Sequence, residues 1–460
     1  MTYILGIMAF LFSISMYSKA CAGRNRIVML IYFILIYNLS IKFIIGSFRL
    51  PSLLNYLSDF AMFWLILEDI AKIRPNKQVG KAINIAVILL LIWALISFVV
   101  NIYSPFLFLW GLRNNIRFFI YAILAIKYLE KRDIKNIMVL LTYYFFFNVL
   151  VVTYQAFGSD YSVGANGDFI SGLFSNGVER GGNGALNWLS CILCTYWVVA
   201  YFNNQSSAKL PLLITGLSLY IAAISEVKIF FVQIIIIAVA AISLGRKSFK
   251  PILFIIIGAL GFSISLRAMY FLFPHFADFF TYNTILDYMT RESGYSTMSE
   301  IGVNRLTAIS FVFDHYLLDS WSRIFGIGIG NADYSSFSIV TSSFYRANSR
   351  SGYTFFQTSF IVIEMGLVGL VLYLNVFFAY LKNAVTIPSK NESEKTICQT
   401  VIILFLLCII AFVNGSTLRI DTSAYMVNLI MVLPCILKKN DMTNIDDYKL
   451  KKRRRLRWKR

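Results

Sequence analysis

Charge is scarce in this sequence. Only 14% of its 460 residues are Asp, Glu, Lys or Arg, against 58% hydrophobic residues and a mean hydropathy of +0.69. A soluble domain of that length would need roughly a quarter of its residues charged, so that class is excluded. Alternation of polar and apolar residues over segments of about ten is missing too, which excludes a membrane β-barrel. Cysteines number six, and five of them (Cys191, Cys194, Cys398, Cys408, Cys435) fall in or beside apolar runs as small hydrophobes, so no disulfide framework is implied. Cys191 and Cys194 have the spacing of half a zinc site but lack a second pair and a nearby histidine, and no metal is expected there. The first apolar run, Tyr3 to Met16, lacks both a preceding basic residue and a following small-residue cleavage site. It reads as a retained helix rather than a signal peptide.

What is present is a series of apolar runs of roughly 17–25 residues, each long enough to cross a bilayer as a helix. Thirteen spans are predicted, at about 2–18, 27–46, 52–70, 82–101, 106–126, 136–156, 184–202, 210–226, 229–244, 251–272, 353–381, 396–414 and 422–437. The expectation is an all-α polytopic membrane protein of about 12–14 spanning helices, one bundle over 1–437 followed by a basic tail over 438–460. Alternate loops differ sharply in charge. One set, from Lys19, Arg24 and Arg26 through to the Lys451–Arg455 cluster of the tail, holds 29 of the 42 Lys and Arg residues. Basic loops stay cytoplasmic, so that set and the tail are assigned inside and the amino terminus outside. The tail then reads as a topology anchor on anionic lipid, not as a nucleic-acid arm.

Two non-cytoplasmic loops are long, 157–183 and 273–352. The second carries His275, His315 and five arginines (Arg291, Arg305, Arg323, Arg346, Arg350) but no lysine. Its stretch 304–316 has helical apolar spacing at Leu306, Ile309, Phe313 and Tyr316, which predicts a helix with Arg305 in its first turn. Trp321, Arg323 and the alternating Gly326, Gly328 and Gly330 follow; such glycines can present main-chain N–H groups to an anion, and a structural turn uses the same residues. In the first loop Asn176, Glu179 and Arg180 precede the seventh span, whose free N–H groups would face the same vestibule. Glu226 and Lys228 mark the break between the eighth and ninth spans, Arg267 lies near the outer end of the tenth, and Glu364 is a carboxylate inside the eleventh.

In this order the residues resemble the superfamily of bacterial O-antigen ligases and O-antigen or capsule repeat-unit polymerases, the Wzy-type and WaaL-type membrane enzymes. Four features carry the resemblance: Ser171-Gly-Leu-Phe-Ser-Asn176 through Gly184; Ser225-Glu-Val-Lys228 ahead of an apolar helix; Asn304-Arg305 with Trp321 and the Gly326–Gly330 run; and Ser351 through Tyr373, with Glu364-Met-Gly-Leu-Val-Gly369. Coverage runs from about 170 to 375. Where ligases commonly carry His-Asn near the end of the long loop, this chain has Gly352-Tyr-Thr-Phe-Phe356, which tilts the expectation toward a Wzy-type polymerase.

The resemblance implies transfer of a glycan from undecaprenyl diphosphate to a hydroxyl of another lipid-linked repeat unit, at the outer leaflet of the bacterial inner membrane, without metal or cofactor. Such chemistry needs cations for the departing diphosphate and a base for the acceptor. The expected catalytic residues are Arg305, Arg180, Lys228, His315 and Glu364, with Asp314 and Glu179 as further base candidates. Substrate-binding expectations are Arg267, Arg323, Gly326, Gly328, Gly330, Asn176 and Trp321. Expected partners are the undecaprenyl-diphosphate-linked oligosaccharide, membrane lipids, and chain-length regulator and flippase proteins. Two alternatives stay open: an O-antigen ligase, and a lipid-linked oligosaccharide flippase. The flippase is disfavoured by the lack of an internal repeat.

Overall fold

The computed structural model describes residues 2–72, 79–158, 167–175, 182–245, 250–272, 274, 281–291, 294 and 301–439. Six helices precede the first long loop: α1 (Thr2–Cys21), α2 (Arg26–Phe48), α3 (Leu57–Ala71), α4 (Lys81–Asn101), α5 (Pro105–Tyr128) and α6 (Lys131–Phe157). Next come α7 (Asn183–Phe202), α8 (Lys209–Ile224), α9 (Lys228–Leu244) and α10 (Lys250–Leu272). Four short helices, α11 (Tyr282–Thr290), α12 (Ala308–His315), α13 (Ser320–Phe325) and α14 (Ser343–Asn348), occupy the second loop. The chain closes with α15 (Gln357–Thr386), α16 (Glu392–Asn414) and α17 (Asp421–Met431).

The protein is an all-α polytopic membrane protein: no strand occurs among the described residues, and eight helices are long and apolar enough to cross a membrane. Each of the thirteen predicted runs coincides with one helix. Four of the other five fall short in length or charge. α3, α8 and α9 have 15, 16 and 17 residues, and the 24-residue α5 carries Arg113 and Arg117 within its apolar stretch. The fifth, α10, is apolar over Gly258–Leu272. The predicted tail lies outside the described residues from 440 onward.

Burial ranks the helices. The apolar windows of α7 and α17 are 89% buried while those of α1 and α4 are 33% buried, so α7 and α17 form the centre and α1 and α4 the lipid-facing rim. α7 packs on α8, α9 and α16, and α17 on α2, α5 and α7. At one end of the bundle, loops are tied by charge. Arg24 bridges to Asp133, which also closes the capping box of α6 with Glu130, and Lys131 pairs with Glu394 at 2.6 Å. Lys439 donates to the carbonyls of Ile126, Lys127 and Leu129, the orphan acceptors at the end of α5.

The opposite end, which bears residues 301–356, is shaped by a break in α15. Gly366 has φ 68 and ψ −174, and on either side of it the chain is helical. A straight helix would place Gln357 and Tyr373 about 24 Å apart. Instead the Gln357 N–H donates to Gly415 O at 3.2 Å, the Tyr373 ring packs 5.6 Å from that of Phe412, and the Gln357 carboxamide lies beside the Tyr373 hydroxyl. The first half of α15 therefore folds back, and residues 367–386 alone are long enough to span about 30 Å.

Breaking a helix inside a bundle frees carbonyls that lipid cannot satisfy. A strap of residues 325–332 takes them. Ile327 N–H donates to Ile363 O at 2.8 Å and Gly328 N–H to Glu364 O at 3.0 Å, while Trp93 Nε1 reaches Met365 O at 2.9 Å. The strap fits only as glycine. A Cβ on Gly330 would lie 1.9 Å from Leu107 O, and one on Gly366 would lie 2.0 Å from Ile324 O.

Candidate functional site

The fold-back brings the first turn of α15 against the short segment Gly415–Ile420 that joins α16 to α17. Arg305 stands on this turn. Its Nε donates to Asn414 Oδ1 at 3.1 Å, its guanidinium lies 5.7 Å from the Phe356 ring, and only 7% of the residue is exposed. The predicted helix at 304–316 begins later, at Ala308, so Arg305 precedes it instead of occupying its first turn. The cause is local: Asn304 Oδ1 accepts from Arg305 N–H at 2.7 Å while Asn304 Nδ2 donates to Arg291 O at 3.1 Å, and Val303 N–H is spent on Ser351 O. An asparagine side chain competing for the backbone in this way delays helix formation.

One turn beyond Phe356, Arg419 rests on the face of Phe360 and donates to Asp333 Oδ2 at 3.1 Å. Asp333 also accepts from Asn114 Nδ2 at 2.5 Å and from Tyr334 N–H at 2.9 Å. Asn114 belongs to a run on α5 that builds a second buried charge cluster. Arg113 pairs with Asp59 at 2.6 Å, and Arg117 bonds both Asp59 and Asp421, the first residue of α17. A charge is tolerated in such surroundings only when matched, and here two guanidiniums meet two carboxylates.

Helix starts converge on the Gly415–Ile420 segment. The first turn of α15 receives Gly415 O. α7 approaches so closely that a Cβ on Gly184 would lie 2.5 Å from Thr417 Cγ2, and Trp188 Nε1 donates to Thr417 Oγ1 at 2.9 Å. α17 starts directly after it, with the Asp421 carboxylate at its own positive end. Helix N-termini carry partial positive charge, and three of them meet at this segment.

The other expected residues are distributed as follows. Lys228 begins α9 and forms an ion pair with Glu226 at 3.2 Å, Glu226 being held at φ 57. Arg180, Asn176, Glu179 and His275 lie outside the described residues. Arg267 is exposed on α10. Arg323 is used as a cap, donating to Leu317 O at 2.9 Å and Phe313 O at 3.2 Å at the end of α12. Trp321 is exposed and stacks against Phe325. His315 and Asp314 are exposed at the end of α12, where the His315 ring stacks on Phe311 with Nδ1 3.0 Å from Phe311 O.

The glycine strap does meet an acidic group, but it is the protein's own Glu364. Gly330 N–H donates to Glu364 Oε1 at 2.8 Å, Ala332 N–H lies 3.4 Å from the same oxygen, and Asn115 Nδ2 donates to Oε2 at 3.1 Å. Gly326 N–H is spent on Ser322 O, and Gly328 N–H on Glu364 O. Glu364 is fully buried, so its carboxylate holds the strap to the broken helix. That engagement leaves these three glycine amides and Glu364 committed to the fold.

Sequence reasoning passed over Arg419, Asn414, Asp333 and the α5 cluster. For the cluster one signal was available: Arg113 and Arg117 stand four apart on one face of an otherwise apolar helix, where an unpaired charge is costly. Between α7, α8, α9 and α10 an apolar cavity of about 310 Å³ is bounded by Val198, Leu219, Ile235 and Phe262 among others. No model of a known protein family matches the chain, and no curated protein matches it.

Proposed function

We propose that this protein is a polysaccharide polymerase. In this reading it transfers a glycan from undecaprenyl diphosphate to a hydroxyl of a second lipid-linked repeat unit, on the membrane face that carries the 301–356 segment. The acceptor oxygen attacks the anomeric carbon, the bond from that carbon to the diphosphate oxygen breaks, and its electron pair leaves with the diphosphate. The acceptor proton passes to a base. Of these needs, stabilising the diphosphate is the one the observed residues serve. The observation that carries the reading is Arg305, a nearly buried guanidinium held by Asn414 on the first turn of a fold-back helix within a membrane bundle. Arginine's fork matches phosphate oxygens and its charge is permanent. The apolar cavity between α7 and α10 suits the prenyl chain of such a donor.

Broken helices also occur in transporters, where freed carbonyls coordinate ions. Here the carbonyls of Ile363, Glu364 and Met365 are taken by Ile327, Gly328 and Trp93, which argues against that use.

Gel analysis of surface glycan in a deletion strain tests the reading. A polymerase leaves single repeat units, a ligase leaves full-length polymer stranded on the lipid carrier, and an unchanged surface glycan refutes both. Complementation with Arg305→Ala is expected to lower chain extension by about a hundredfold or more, the scale of losing one transition-state donor. Arg305→Lys tests whether fork geometry or charge alone matters.

A further inference from the structure

We propose that Arg419 is a second cation of the Arg305 site, binding one phosphoryl group of a diphosphate while Arg305 binds the other, and that Asp333 is the counter-ion Arg419 leaves in order to do so. The identity of the occupant rests on the polyprenyl-diphosphate reading; the placement of the cations does not.

Arg305 lies on Phe356, the residue that caps α15, and Arg419 on Phe360, one turn into it, so the two guanidiniums sit on rings four residues apart at the start of one helix. Both are anchored at the same place, Arg305 by Asn414, the last residue of α16, and Arg419 by belonging to the segment that follows it. That turn opens a helix, and the start of α7 reaches the same segment through Trp188 and Thr417. The third helix start there is already neutralised, because Asp421 at the head of α17 bonds Arg117. The positive ends of α15 and α7 are not matched by a carboxylate of their own first turns.

One buried group also points to a ligand. The buried Nε of Arg419 has no hydrogen-bond partner. A guanidinium with one nitrogen on a carboxylate and another uncommitted is poised to exchange acceptors.

The exchange is eased because Asp333 has donors besides Arg419. Its carboxylate keeps Asn114 Nδ2 on Oδ2 and Tyr334 N–H on Oδ1 when the guanidinium swings away. Those two bonds reduce the usual cost of breaking a buried pair.

The test uses the full chain in lipid nanodiscs with farnesyl diphosphate, farnesyl monophosphate and inorganic pyrophosphate as probes. Wild type is expected to bind the diphosphates more tightly than the monophosphate. Arg419→Gln should weaken diphosphate binding at least about tenfold and erase the preference, the scale of losing a charged hydrogen bond. Asp333→Asn should strengthen binding several-fold, because the resting counter-ion is removed. A pair that merely braces the fold predicts the opposite for Asp333→Asn, a loss in step with Arg419→Gln, and that result overturns the proposal. So does a folded Arg419→Gln variant that binds like wild type, or a wild type that binds no diphosphate. If Arg419→Gln does not fold, the sign of the Asp333→Asn effect decides alone. Arg419-dependent binding in a protein whose deletion leaves glycan length unchanged would remove the polymerase reading and keep the site; Arg305-dependent chain length with Arg419-independent binding would do the reverse.

Discussion

The carboxylate of Glu364 accepts the N–H of Gly330 at 2.8 Å, thirty-four residues away in the chain, and this bond holds the glycine strap against the broken helix. Its removal strands buried donors. Glu364→Ala leaves Gly330 N–H and Ala332 N–H without their acceptor, while Asn115 Nδ2 keeps Gly111 O. A loss of about 2 kcal/mol or more is expected, at roughly 1–3 kcal/mol for each stranded group. Glu364→Gln keeps one acceptor oxygen and should lose less. Thermal unfolding in detergent measures both; equal melting temperatures for wild type and the Ala variant would show that the strap holds without the carboxylate.

Gly330→Ala and Gly216→Ala should move stability in opposite directions. The first puts a methyl group 1.9 Å from Leu107 O at φ +87, and something must shift. The second adds a methyl within α8 with nothing inside 4 Å, which favours the helix by about 0.5–1 kcal/mol. If the two variants melt together, the close approach of strap to α5 is not as described.

Asn414 is a positioning residue for Arg305. Asn414→Ala is expected to shorten glycan chains, and adding it to Arg305→Ala should produce little further loss, because both changes act through one guanidinium. Additive losses would separate the two residues.

Asp319 gives a prediction in pH. Its carboxylate caps α13, accepting from Trp321 N–H and Ser322 N–H, and the bonds from the Ser322 backbone and hydroxyl hold its pKa below the usual 3.8. A depressed carboxylate pKa stabilises the cap above 3.8 and loses that contribution as pH falls through the folded value. Acidification below 3.8 should therefore loosen α13, read by fluorescence of a variant retaining only Trp321. In that background Asp319→Asn should flatten the response, and an unflattened response would assign it to another group.

Much of the fold was legible because lipid enforces a single rule, and runs such as 82–101 or 396–414 announce helices with little competition from other patterns. The bend at Gly366 was hidden inside such a run, since its cause lies in Trp93 and the strap rather than in neighbouring residues. The glycine run was legible as an anion cradle, but not that Glu364 would fill it. Arg305 drew notice from its local company. Arg419 and Asp333 did not, because each looks like a solitary charge until folding joins positions 86 residues apart.

The bend in α15 also has an order of synthesis built into it. Every group that caps its freed carbonyls, Trp93, Ile327 and Gly328, precedes Gly366 in the chain and has left the ribosome before the bend is made. The partners of its first turn, Asn414, Gly415 and Arg419, come only afterwards. A nascent chain halted between α15 and α16 can thus complete the bend but not the contacts of its first turn, which wait until the last two long helices have been inserted.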